Sequence, residues 1–422
     1  MAAPERSKVL ATSAAENHEV PIAMSMSDSS KILTAGAFFS FFAFGFVDNL
    51  KGPLLPEILR TEGMNYAQGG TFFLAAYVGF SIATLASGVL ADMLSNRHVL
   101  LLSAGCLIVG AGGLNIATSL LFLNLSMAIV GLGLGGIEVG ANGLMVELHS
   151  VARARYLNLL GTFHGVGSLT VPLVVAWLIT VPLQWPQIYL CCVLLAIPLL
   201  AIFAPARRGS LAEPVRQVKL EEQATRWSWS VGLRRGFTWR MGWFYLLISS
   251  YVAAELGLAA WLVEYLQEVQ QVSVTASSLY LSSFFGLIVL GRFFGSWWVE
   301  RVGYLRMVAI ALCATFVCLG GGIFGPSEWT WLLPFSGLFM SIVFPTVAAA
   351  VAAAHPTSVG SILGLLFTFG GVGGALGPWV IGLVSQAYGL SWGLATTLGF
   401  CAIALVALAV LSRPQESRLE AG

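Results

Sequence analysis

Three carboxylates stand inside runs of sequence that are otherwise apolar. Asp48 lies in "FGFVDNLKGPLLP", Glu138 in "GLGGIEVGAN" and Glu255 in "YVAAELGLAAWLVEYL". A carboxylate placed in hydrocarbon costs at least ~2–3 kcal/mol even on a lenient insertion scale, so such a position is either offset by a partner or put to use. The chemistry on offer is proton binding, because a desolvated carboxyl can keep its proton at neutral pH. Glu138 is flanked by Gly135, Gly136 and Gly140, which leave room for water or a small molecule. Asp48 has Lys51 three residues on, a spacing that allows an ion pair on one helix face. With that pair Asp48 is structural; without it Asp48 can carry an ion, and the sequence leaves both readings open. His164 interrupts a further glycine-rich run, "LNLLGTFHGVG". Asn49, Asn142 and Asn158 have amides that can bind substrate hydroxyls or, equally, tie neighbouring helices together. Lys51 and Glu147 are charges nearer the ends of their apolar runs.

The elements that must position these groups follow from composition. Of 422 residues, 57% are hydrophobic and 10% charged, against roughly 25% charged in a soluble domain. The mean hydropathy of +0.83 points the same way. Most of the chain therefore has lipid as its solvent. Twelve apolar runs of spanning length are expected, at 32–56, 67–90, 98–118, 121–146, 157–181, 186–205, 241–266, 275–298, 306–325, 329–354, 358–384 and 390–411. Runs this long are helices, since every backbone polar group must be satisfied within lipid and barrel strands are about ten residues long. The net charge of +1 carries no nucleic-acid signal. Cys106, Cys191, Cys192, Cys313, Cys318 and Cys401 all lie in apolar runs without C-x-x-C spacing, and read as small hydrophobes. No P-loop and no His-Glu-x-x-His pattern is present, so the chain reads as neither an ATP-driven pump nor an enzyme, and no cofactor is implied.

The polar stretches divide the chain. Residues 1–30 read as a cytoplasmic tail, 31–205 as a first six-helix half, 206–240 as a central loop, 241–412 as a second half and 413–422 as a second tail. The central loop is rich in arginine, and Arg97, Arg153, Arg155, Arg301, Arg306, Arg413 and Arg418 fall on the same side of the membrane. The opposite side is expected to hold Arg60, Lys51 and acids such as Glu264, Glu268 and Glu328. Basic loops stay cytoplasmic, which places both termini inside.

The halves echo each other. "LNLLGTFHGVGSLTVP" begins at 157 and "LGLLFTFGGVGGALGP" at 363, 206 residues on, and each is the fifth span of its half. "SGVLADMLSNR" and "GSWWVERVGYLR" follow the second span of each half and set Asp92 opposite Glu300. Asp48 and Glu255, 207 residues apart, sit at nearly corresponding places. Two repeated halves with a site between them near the membrane midplane are a known transporter plan.

At this point the chain resembles the major facilitator superfamily over nearly all of 32–412. The superfamily's loop motif, Gly-x-x-x-Asp-Arg-x-Gly-Arg-Lys, is matched by Gly88, Asp92 and Arg97, with Met93, Ser95 and Asn96 in place of Arg, Gly and Arg. A narrower resemblance is to the fucose permease group of sugar–proton symporters. It is carried by "FGFVDNLKGPLLP", "GLGGIEVGAN", "LNLLGTFHGVG" and "MSIVFPT". The resemblance implies an all-α membrane fold of twelve helices in a 6+6 arrangement, working by alternating access as a monomer. It implies a proton-coupling role for Glu138 with Asn142 beside it, and a latch between the halves formed by Asp92, Arg97, Glu300 and Arg301. In the first span the group ends Asn-Asn-Leu-Asn-Asp, whereas here Asp48-Asn49-Leu50-Lys51-Gly52 places the acid first rather than fifth. The expected cargo is a monosaccharide taken up with protons. An exporter of amphipathic compounds and a sodium-coupled sugar carrier are the alternatives.

Overall fold

The computed structural model describes residues 28–149, 153–181, 183–204, 237–355 and 359–413. Both tails and most of the arginine-rich central loop lie outside the described residues, as do the side chains of Asp92, Arg153 and Glu300. Among the described residues, twelve helical stretches are long and apolar enough to cross a membrane: Ser29–Glu62, Tyr66–Ala91, Asn96–Ile116, Leu120–Leu148, Arg155–Leu178, Trp185–Phe203, Trp239–Glu268, Val274–Gly295, Tyr304–Phe324, Ser327–Ala354, Ile362–Tyr388 and Leu390–Leu411. We number them spans 1 to 12. Twelve crossings return the chain to the side where it began, here called the terminal face.

The starts of several spans are written in side chains that satisfy otherwise orphaned backbone N–H groups. Asn65 and Gln68 form a reciprocal capping box at span 2, and Thr238 and Ser273 cap spans 7 and 8. Gly63 ends span 1 in the left-handed conformation at φ 60°. Ser95 holds φ 143°, a conformation that favours glycine; its counterpart in the second half is Gly303, at φ 89°.

Two spans are broken where they approach the middle of the bundle. Span 1 consists of helices Asp28–Asn49 and Lys51–Glu62, joined at Leu50. Pro53 lies in the first turn of the second helix, where a missing N–H is tolerated. Span 10 breaks between Leu332–Met340 and Val343–Ala354. The carbonyl freed at Met340 accepts from the Tyr251 hydroxyl at 2.7 Å. Span 7 runs unbroken past Glu255 from Trp239 to Glu268.

Each half has its own buried core. One is built around Phe41, Val47, Leu134, Leu160 and Trp185, the other around Tyr251, Phe284, Leu312 and Leu394. The repeated glycines do the same job in each. A Cβ on Gly167 of span 5 would collide with the Phe42 carbonyl of span 1, and one on Gly373 of span 11 would collide with the Ser249 carbonyl of span 7. Backbones that touch leave no room for a side chain.

Between the halves, contact is graded. Spans 2 and 11 are tightest far from the terminal face: a Cβ on Gly382 would meet the Tyr66 carbonyl at 2.5 Å and one on Gly70 the Trp379 carbonyl at 3.0 Å. Nearer the middle, a Cβ on Gly374 would meet the Tyr77 ring at 3.3 Å and one on Gly371 the Ser81 hydroxyl at 3.7 Å; a Cβ on Gly88 or Gly364 would meet nothing within 4 Å. Spans 5 and 8 repeat the pattern. Ser282 donates to the Leu169 carbonyl at 2.7 Å, a Cβ on Gly165 would meet Val289 at 3.0 Å, and one on Gly161 would meet nothing within 4 Å. The halves are closed on the face opposite the termini and part toward the terminal face.

Candidate functional site

The break in span 1 sets the first group of residues. Lys51, 2% exposed, donates to Asp48 Oδ1 at 2.6 Å. The Tyr77 hydroxyl of span 2 donates to Asp48 Oδ2 at 3.4 Å, and the Lys51 ammonium stands 5.1 Å from the centre of the Tyr77 ring. Lys51 is therefore a buried residue of span 1 and not a loop residue, and the ion pair allowed by the i,i+3 spacing forms. Gly52, next in sequence, abuts the Ala259 carbonyl of span 7, so this pair sits where the halves touch.

Asn49 donates to the Gly45 carbonyl and to Ser168 Oγ, both at 2.9 Å. Its amide protons tie span 1 to span 5. The Asn142 amide of span 4 donates back along its own helix to the Glu138 carbonyl at 2.7 Å and to Glu138 Oε1 at 3.2 Å. Glu138 is half-buried and within electrostatic reach of Asp48. The His164 ring packs edge-on against Phe44, with centroids 4.7 Å apart. Its backbone carbonyl takes the close approach of Gly45. Asn158 lies exposed nearer the terminal face.

From the second half, Glu255 of span 7 lies within electrostatic reach of Tyr251, whose hydroxyl holds the break in span 10. Tyr77 lies within electrostatic reach of both Asp48 and Glu255, and so connects the acids of the two halves. The structure adds a residue that the sequence reading passed over. Arg292 of span 8 sits one turn beyond Val289, which touches Gly165, and its charge acts on both Glu255 and His164. Its signal was legible, since a lone arginine deep in an apolar run meets the same energetic objection as a lone acid. Asp48, Glu138, His164, Glu255 and Arg292 thus converge from spans 1, 4, 5, 7 and 8 on the region between the halves. Phe44, Tyr77 and Phe80 supply aromatic faces there.

The expected latch is placed only in part. Arg97 donates to the Phe203 carbonyl, and to the Ala204 carbonyl at 2.6 Å, capping span 6 within its own half. Arg301 is exposed in the last turn of its helix, and the Asp92 and Glu300 side chains lie outside the described residues. Glu147, near the end of span 4, accepts from Asn96 at 2.8 Å. Among the described residues no three histidine, cysteine or acidic side chains gather as a metal site. Cys192, Cys318 and Cys401 are buried as expected, whereas Cys313 is exposed.

The sequence model of the Major Facilitator Superfamily matches residues 37–335 and 257–422, which together take in all twelve spans but the first few residues. The chain belongs to the major facilitator superfamily. It is 25% identical over 384 residues to a protein of Brucella abortus named glucose/galactose transporter, covering 83% of this chain and 87% of that one. It is also 25% identical over 387 residues to the L-fucose-proton symporter of Escherichia coli, covering 83% and 86%. Among solved structures, a bacterial homolog of the human lysosomal transporter Spinster superposes with a TM-score of 0.73 at 16% identity, covering 92% of this chain and 98% of that one. The E. coli fucose:proton symporter superposes at 0.61 with 22% identity, covering 92% and 100%. The all-helical 6+6 superfamily fold expected from the repeat is the one observed, and the protein is an integral membrane transporter of this superfamily.

Proposed function

We propose that this transporter takes up a monosaccharide together with protons by alternating access, as a monomer of the cytoplasmic membrane with both termini inside. The observation that carries the proposal is the pair Glu138 and Glu255, one from each half, both within electrostatic reach of the Asp48–Tyr77 contact in the zone between the halves. Rocking about that zone changes the water supply to both acids, and a carboxyl whose hydration alternates takes up and gives back a proton. Asp48 is excused from this role. Lys51 already neutralises it at 2.6 Å, doing permanently what a travelling proton would do transiently. That leaves Glu138 as the proton carrier of the first half, oriented by Asn142.

Sugar recognition is supported by the convergence of aromatic faces with polar side chains, and by the names of the Brucella and E. coli relatives. Asn158, His164 and Arg292 are exposed or half-buried polar groups on spans 5 and 8, whose contact loosens toward the terminal face. Inward-lying termini follow from the arginines flanking the spans at the terminal face, which makes the described conformation inward-facing.

The test is proton entry into proteoliposomes, followed with an internal pH dye while single sugars are added outside. The expected result is acidification of the lumen with one sugar of the panel. In Glu138→Gln this signal and pH-driven accumulation should vanish while sugar exchange persists. Undiminished concentrative uptake by that variant would refute proton coupling through Glu138; silence across the sugar panel would refute proton–sugar symport, and sugar entry driven by a sodium gradient then separates sodium coupling from a different cargo.

A further inference from the structure

On the face opposite the termini a cleft of about 600 Å³ lies over the closed junction, lined by Glu57, Arg60, Tyr66, Glu264, Glu268 and Gln386 among others. The sequence reading set Glu264 among the loop acids of that face. The structure places Glu264 inside span 7, as the expected run 241–266 does, but only 4% exposed, with its Oε2 buried and without a hydrogen-bond partner. One turn earlier on the same helix, Trp261 is the seal of the junction. Its ring is fully buried against Tyr66 and Phe73, and its indole N–H donates to the Pro378 carbonyl at 2.9 Å. Gln386 of span 11 closes the rim by accepting from the Tyr66 N–H at 3.1 Å.

An ionised carboxylate buried beside such a seal, with one oxygen unsatisfied, is an expensive arrangement. The groups facing it do not relieve the cost. Arg60 is committed to Glu57, Glu268 repels, and the Oε1 of Gln386 accepts the Tyr66 N–H. A metal ion would need several converging ligands, and among the described residues no three histidine, cysteine or acidic side chains gather as a metal site. A proton needs none. When the halves part on this face, Tyr66 and Gln386 separate and water reaches Glu264.

We propose that Glu264 is a second proton site, filled from the outer medium when the outer junction closes over it and emptied when that junction opens. Acid outside then favours the inward-facing state, independently of the central acids. The inference rests on the reading that the halves alternate, and not on the identity of the cargo.

The experiment uses the full chain in lipid nanodiscs, with its six native cysteines replaced and spin labels at Thr61 and Tyr388, both exposed beside the junction. Distances across the outer face are read by pulsed electron resonance at pH 5 and pH 8, without sugar, in a Glu138→Gln, Glu255→Gln parent whose central acids contribute no pH dependence. In the parent, the ratio of closed to open populations should fall about tenfold or more over that range, because one linked proton can move an equilibrium by up to tenfold per pH unit. In Glu264→Gln, and in Glu264→Met as a second neutral variant, the ratio should change by less than about twofold, with the closed population dominant at both pH values. Glu268→Gln, which removes an exposed acid one turn away, should keep the shift. The proposal is overturned if the neutral variants shift like the parent, if the parent does not shift, or if the shift follows sodium at constant pH. Sugar-driven proton entry reports on the central site and the outer distance on Glu264, so the two readings fail separately.

Discussion

At the scale of single residues, the first half of this transporter is organised around a charge it cannot leave alone. Asp48 and Lys51 bind at 2.6 Å with side chains only 13% and 3% exposed. Removing one partner of such a pair strands the other, and that typically costs about 3–5 kcal/mol. Lys51→Met is therefore expected to lower the thermal unfolding midpoint in detergent sharply. Asp48→Asn combined with Lys51→Met should recover most of the loss, because neither charge is then stranded. Equal losses in the single and double variants would show that Lys51 acts through packing instead. The pair was legible from its i,i+3 spacing. The bonds of Asn49 were not, because an amide in an apolar run looks the same whether it awaits a hydroxyl or already holds Ser168 of another span. The burial of Glu264 was hidden for a related reason: hydropathy averages over a window, and an acid near the end of a span reads as loop until tertiary packing shows what covers it.

At the scale of elements, the duplicated glycine segment is the clearest case of sequence stating structure. Gly167 and Gly373 occupy equivalent positions in their repeats and each admits a neighbouring carbonyl where a side chain would stand. Gly167→Ala and Gly373→Ala should each cost about 1–3 kcal/mol by overpacking and lower the folded yield after membrane extraction. Gly161 and Gly242 belong to spans 5 and 7, and a Cβ on either meets nothing within 4 Å. Alanine at those two positions should leave yield and thermal midpoint within error of the parent. Uniform sensitivity at all four sites would mean that helix propensity and not backbone contact governs the glycines. The twelve spans and their pairing by repeat were readable because lipid imposes length and apolarity on every crossing. The breaks were harder to see. The joint in span 1 is at Leu50, three residues before Pro53, and the break in span 10 depends on Tyr251, which belongs to another span.

At the scale of the whole molecule, the graded contact between the halves makes a statement about mechanism that a rigid bundle would not. Tyr66 and Gln386 are bonded at 3.1 Å on one face, while Gly88 and Gly364 of the same two spans face open space toward the other. If the halves rock, bridging the first pair must trap the protein and bridging the second must require a rearrangement. Tyr66→Cys with Gln386→Cys, in a background without native cysteines, should be joined rapidly by a short reducible bis-thiol reagent, and uptake should stop until reductant is added. Gly88→Cys with Gly364→Cys should be joined at least about tenfold more slowly by the same reagent, since the open arrangement must first reverse against a population difference of order 1.4 kcal/mol or more. Saturating substrate should speed that second reaction by populating the alternate state, and once formed that bridge should also arrest uptake. Uptake that continues with the Tyr66–Gln386 bridge in place would mean that the face opposite the termini never opens, and cargo would then have to reach the central acids by another route.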